Sequence, residues 1–179
     1  MANPPTDSDS DVAKFLGSLL NFPKPLLAAV KGNAVGVGTT MLLHCDVVIA
    51  SDTAKFSMPF TSLGLVPEAG SSYLFPRLVG YQRAAQIFMT GESFSAESAK
   101  EMGLVAQIQK DPLAAAMQIA RQIAEQPPQA IINTKALLKS GSHDAVAAVM
   151  RAEFELFSMA LHSEEAMEAF MKFMSKKGK

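Results

Sequence analysis

Residues 26–30 (LLAAV) are apolar at every position, lie just after Pro23 and Pro25, and run straight into Lys31 and a glycine-bearing stretch, residues 32–40 (GNAVGVGTT). A short run apolar on both alternating faces reads as a strand, and such a strand needs cover on both sides. That requirement favours layers of helix and sheet over a sheet with one wet face, so the fold class expected is α/β. Gly32, Gly36 and Gly38 permit a tight backbone path and the close approach of another group. Their spacing is not the GxGxxG of a dinucleotide site. Residues 39–45 read as a helix, which places the amides near Val37 and Gly38 at a helix N-terminus, where free N–H groups can stabilise a negative oxygen. The competing reading is a glycine turn that lets a strand pack closely on a helix.

The second loop, residues 59–72 (PFTSLGLVPEAGSS), holds one acid, Glu68, among apolar neighbours. From the residues alone Glu68 is either a functional carboxylate in an apolar setting or a partner for the positive end of the helix that Gly70, Ser71 and Ser72 open. Asp46 reads as a structural acid tying down nearby backbone N–H groups.

Around these loops, Val12, Phe15, Leu16, Leu19 and Leu20 make a helical stripe that Asp9 or Ser10 can cap. Residues 47–50, 55–57 and 104–108 read as strands, and residues 82–89 and 96–102 as helices. Asp111 and Pro112 give an N-cap and a favoured first residue for a helix to about residue 125. Helices follow at 129–139, 144–159 and 163–177. Two units are therefore expected: residues 1–110 as an α/β core and residues 111–179 as a helical region suited to oligomerisation. Phe154, Phe157, Met159, Phe170, Met171 and Met174 give that region adaptable apolar surface for a core or a subunit interface.

With 179 residues and 49% hydrophobic content, the chain is long enough for one real core. Sixteen basic and 17 acidic residues are mixed along it for a net charge of -1, which gives no nucleic-acid or membrane-surface footprint. Cys45 is the single cysteine, so neither an internal disulfide nor a thiol-based zinc site is expected. His44, His143 and His162 stand apart without companion ligands, which argues for no metal and for structural or solvated histidines. No GxSxG elbow is present, and residues 70–72 (GSS) are too generic to replace one. The first ten residues lack the basic start and apolar run of a signal peptide, and no apolar segment reaches spanning length; the expected location is the cytoplasm.

The ordered series 24–38 (KPLLAAVKGNAVGVG), 45–52 (CDVVIASD), 62–72 (SLGLVPEAGSS), 75–80 (FPRLVG), 90–92 (TGE) and 96–105 (AESAKEMGLV) resembles the crotonase, or enoyl-CoA hydratase/isomerase, superfamily. The resemblance runs from about Phe22 onward. It implies a ββα spiral core, here N-terminally truncated, an acyl-CoA substrate with coenzyme A as part of that substrate, no separate cofactor, and a homotrimer or hexamer.

Family members hold the thioester oxygen between two backbone N–H groups, and the resemblance places one donor at Val37. The other would lie before the segment equivalent to residues 11–21, and hence before this chain. The two glutamates by which family hydratases add water fall at Thr40 and Phe60, neither of which can do that acid–base work. Isomerases of the superfamily carry one acid in a segment resembling residues 65–72, which implies Glu68 as the base of a Δ3-to-Δ2 double-bond shift. Gly36, Gly38, Phe60, Leu65 and Val66 are the implied substrate-binding residues. Lys172, Lys176 and Lys177 are candidates for coenzyme A phosphates, or form a solvated basic helix end. The alternatives are a noncatalytic acyl-CoA-binding or assembly module, or another crotonase enzyme such as a hydratase or thioesterase.

Overall fold

The computed structural model describes residues 10–176. Helix α1 (Asp11–Asn21) begins where Ser10 Oγ accepts the amide of Ala13 at 3.2 Å, and it buries Leu16 and Leu19. Strand β1 (Leu27–Val30) follows the two prolines as expected. Next come β2 (Asn33–Val35), a one-turn helix α2 (Val37–Thr40) that continues as a 3-10 turn over Met41–His44, β3 (Val47–Ala50) and β4 (Lys55–Ser57).

Two small sheets result. In one, β1 pairs in parallel with β3, with Leu27 opposite Val47, and β3 pairs in parallel with β6 (Gln107–Ile108). In the other, β2 pairs in parallel with β4, with Ala34 opposite Phe56, and β4 pairs antiparallel with β5 (Ser93–Ser95). Along the chain, α3 (Ser71–Val79) and α4 (Tyr81–Thr90) lie between β4 and β5, and α5 (Ala96–Glu101) between β5 and β6.

The main core is aromatic. Phe56 stacks on Phe94 at 5.6 Å, and Phe75 meets Phe88 edge-on at 5.5 Å. Phe56 and Phe75 are fully buried, so each contributes roughly 1.5–3 kcal/mol of transfer free energy relative to an exposed side chain.

Several sequence expectations shift in detail. Residues 33–35 are a strand although they lie inside the glycine-bearing stretch, because Ala34 inserts into the core opposite Phe56. The expected helix over 39–45 divides into α2 and the 3-10 turn. The strand expected over 104–108 narrows to two residues, since the amides of Leu104 and Val105 return to the Ala99 carbonyl at the end of α5. Strand β1 is only partly covered, with Ala29 exposed, as it lies at the edge of its sheet. Asp46 is structural as read: its Oδ2 accepts the Leu26 amide and Lys135 Nζ, each at 2.7 Å.

Residues beyond 110 lie against the strands and loops before them. Helix α6 (Pro112–Ala124), capped by Asp111 through the Ala114 amide at 3.0 Å, packs on β1 and β3. Helix α7 (Pro128–Ser140) sends Lys135 to Asp46, and α8 (His143–Leu161) packs on α3. Helix α9 (Glu164–Lys176) packs on the 3-10 turn Thr61–Leu63. Contact there is close enough that a Cβ on Gly64, whose φ is +68°, would meet the Ala166 amide nitrogen at 2.8 Å.

Candidate functional site

The two loops singled out in the sequence meet at a cavity of about 1020 Å³ walled by α1, the start of α2, the Glu68 loop and α8. Val37, Phe60 and Glu68 all line it, with Phe15, Met150 and Phe154 supplying apolar wall from the two helices.

The position of Val37 follows from how the glycine stretch is tied down. Gly36 takes φ +56° and donates its amide to the Ser57 carbonyl at 2.9 Å. Buried Thr39 donates its hydroxyl to Ala34 O at 2.7 Å and reaches Ser57 O at 3.1 Å, binding the start of α2 to both β2 and β4. The amides of Thr39 and Thr40 turn back to Gly36 O at 2.8 and 3.0 Å. Those of Val37 and Gly38 come first in the helix, where a backbone N–H has no intrahelical acceptor.

Glu68 sits half-buried at the end of the second loop, and Thr40 Oγ1 donates a hydrogen bond to its Oε1. Burial pushes its carboxyl up to about 7; the Thr40 hydrogen bond opposes that rise, and the charge of Glu153 adds to it. After Glu68 the chain passes through two left-handed residues, Ala69 at φ 61° and Gly70 at φ 70°. A non-glycine residue there is uncommon, and such strain persists only where the surroundings hold it. On one side, His44 Nε2 lies 2.7 Å from the Ala69 carbonyl. On the other, the buried carboxylate of Glu153 on α8 accepts the Gly70 amide at 2.6 Å, the Ser72 amide at 2.9 Å and the Ser72 hydroxyl at 2.5 Å.

Glu153 is thus the acid that serves the positive end of α3, the role that had competed for Glu68. Nothing local in sequence announces it, since 83 residues separate it from Gly70. The available signal is its register: Glu153 falls on the same helical face as Val146, Met150 and Phe157, and an acid on an apolar face calls for a partner.

The remaining predicted site residues are spread out. Gly36 and Gly38 flank Val37 and shape its backbone; a Cβ on Gly36 would touch the Phe60 ring at 3.9 Å. Leu65 belongs to the main core and, like half-buried Val66, lies outside the cavity wall. Lys172 is exposed on α9 away from the cavity, Lys176 closes that helix, and Lys177 lies outside the described residues. Among the described residues no group of three or more His, Cys, Asp or Glu side chains could hold a metal ion, and no helix is long and apolar enough to cross a membrane.

The structure superposes on that of OdaA from Pseudomonas aeruginosa with a TM-score of 0.94 and 43% identity, over 97% of this chain and 71% of that one. The fold is therefore of the crotonase class. The chain belongs to the enoyl-CoA hydratase/isomerase family, whose model matches residues 1–179. It is 35% identical to enoyl-CoA delta isomerase 2 of Rattus norvegicus over 93% of its own length and 43% of the relative's. It is equally, 35%, identical to 2,3-dehydroadipyl-CoA hydratase of Escherichia coli over 87% of its length and 62% of that chain. The chain thus spans about two fifths to three fifths of these two relatives, of which one is named an isomerase and the other a hydratase.

Proposed function

We propose that this chain acts as a Δ3,Δ2-enoyl-CoA isomerase, moving a double bond in an acyl-CoA thioester with Glu68 as its base. The observation that carries this reading is the pairing of Glu68 with Thr40 on the wall of an apolar cavity that also holds Val37. The family resemblance implies that Thr40 and Phe60 take the positions where hydratases carry their acids, and neither side chain can do that acid–base work. Two other carboxylates line the cavity: Glu153 is engaged by three donors, and Glu155 is exposed on α8.

The chemistry needs only one base. Glu68 takes a proton from C2 of a 3-enoyl thioester; the C2–H electrons form C1=C2 as the thioester C=O electrons move onto oxygen. The resulting dienolate oxygen is held by the Val37 N–H, and one such donor is typically worth about 2.7–4 kcal/mol in the transition state. As the carbonyl reforms, C2=C3 is made, the C3=C4 electrons take the proton from Glu68 at C4, and the base is regenerated. Apolar walls favour this shuttle because they keep out the water that hydration needs. A carboxyl poised near neutrality is suited both to take and to return the proton. Self-association into a homotrimer or hexamer belongs to the same proposal, supported by the exposed Met167, Met171 and Met174 on α9.

The test is product analysis after giving the 179-residue chain a 3-enoyl-CoA. A conjugated 2-enoyl thioester supports the isomerase reading. The conjugated 2-enoyl-CoA is supplied in a parallel assay: a 3-hydroxyacyl product from it, with the 3-enoyl-CoA left unchanged, would assign a hydratase, free coenzyme A a thioesterase, and binding of both without turnover an acyl-CoA-binding module.

A further inference from the structure

We propose that His44 is a positioning residue for Glu68: its ring Nε2–H, donated to the Ala69 carbonyl, holds the left-handed backbone that sets the preceding carboxylate on the cavity wall. This inference deepens the proposed function and rests on Glu68 being the group that acts.

His44 is 2% exposed and its Nε2 lies 2.7 Å from Ala69 O. A carbonyl only accepts, so Nε2 carries the proton and Nδ1 of the neutral ring does not. Desolvation lowers the His44 pKa and so favours the neutral ring; the Ala69 hydrogen bond opposes this, and the charges of Lys139 and Lys135 on α7 add to the lowering. Lys139 Nζ also donates to the His44 carbonyl at 3.0 Å, fixing the segment from the far side.

The geometry is that of a two-point clamp. Thr40 and His44 lie four residues apart on one continuous helical segment; Thr40 engages the Glu68 carboxylate and His44 engages the next peptide. Ala69 itself is 2% exposed and holds φ 61° with no glycine to ease it, so its conformation depends on what it is tied to. The Ala69–Gly70 peptide is held at both ends, its carbonyl by His44 and its N–H by Glu153, while the Ser71 amide donates to the Glu68 carbonyl at 3.1 Å; His44 is the side-chain donor on the carbonyl side.

The test compares His44→Gln, whose carboxamide N–H reaches about as far as Nε2, with His44→Leu, which fills the space without a donor. Two readouts are taken: the titration of the Glu68 carboxyl by 13C NMR, assigned by difference with Glu68→Gln, and kcat and KM on a 3-enoyl-CoA. His44→Gln is expected to keep the Glu68 titration near that of the parent and at least a third of its kcat. His44→Leu, under conditions where circular dichroism shows it folded, is expected to lower the Glu68 titration by a unit or more as water reaches the loop. Its kcat should fall at least tenfold with KM within threefold. If His44→Leu does not fold, His44→Asn, whose amide is too short to reach Ala69 O, takes its place.

Unchanged Glu68 titration in the donor-free variant, or equal damage in His44→Gln, overturns the assignment. The titration decides the role of His44 even if the parent chain turns over no 3-enoyl-CoA, which would count against the proposed function alone.

Discussion

Thr40 Oγ1 donates a hydrogen bond to Glu68 Oε1 across 28 residues of sequence, joining the glycine-bearing loop to the single acid of the second loop. A hydroxyl donated to a carboxylate favours its ionised form, and here it offsets part of the rise that burial imposes.

Thr40→Val keeps the shape of this buried side chain and removes the donor. The Glu68 carboxyl should then titrate above its present value of about 7. A rise of about one unit leaves roughly fivefold less ionised base at neutral pH. Turnover at pH 7 should fall accordingly and recover by pH 9. A pH–rate profile checks this, and one unaltered in its acidic limb would show that Thr40 does not tune the base.

Glu68 also links pH to stability. Its folded pKa of about 7 exceeds the ordinary glutamate value of 4.5, so the folded chain binds more protons between those values. The contribution is fully present below about pH 4.5 and is lost as pH rises through about 7. The difference of about 2.5 units corresponds to roughly 3 kcal/mol. Glu68→Gln should therefore stabilise the chain relative to the parent at pH 8.5 and do so much less at pH 5. Urea denaturation at the two pH values measures it.

Glu153→Ala removes the buried carboxylate that accepts three hydrogen bonds and leaves the Gly70 and Ser72 amides and the Ser72 hydroxyl without that partner. An expected loss of about 2–4 kcal/mol follows, since each buried donor left unsatisfied costs on the order of 1–3 kcal/mol. Removing that negative charge should also lower the Glu68 pKa, because its repulsion contributes to the rise. Chemical denaturation and Glu68 titration report the two effects separately.

Gly64→Ala places a Cβ 2.8 Å from the Ala166 amide nitrogen at a residue with φ +68°. Backbone clash and left-handed strain both act, so a loss above about 2 kcal/mol is expected. Because the clash is with α9, limited proteolysis should cut that helix first in the variant.

The local periodicities that define α1, α4 and α6 were legible from residue order, as was the Asp111 cap that starts α6; for α1 residue order offered Asp9 or Ser10, of which Ser10 caps the helix and Asp9 lies outside the described residues. So was the pairing of Val37 with Glu68 as the two loops of interest, which the fold brings to one cavity. What residue order did not reveal depends on distant partners. Strand β2 exists because Ala34 pairs opposite Phe56, and β5 because Phe94 stacks on Phe56; neither segment is long enough to show a period of two. The cavity wall from α1 and α8 and the reach of Glu153 to Gly70 arise from packing between residues far apart in the chain. Thr40 was notable in the sequence only as a missing acid, and its hydroxyl becomes meaningful once Glu68 lies beside it.

The most direct test of Glu68 as the carrier of the proton is turnover of a 3-enoyl-CoA labelled with deuterium at C2, by the parent chain and by Glu68→Gln. The account predicts that the parent forms the conjugated 2-enoyl thioester with part of the label delivered to C4. Glu68→Gln, still folded, should lose at least a thousandfold in kcat. Near-normal turnover by Glu68→Gln would contradict the account.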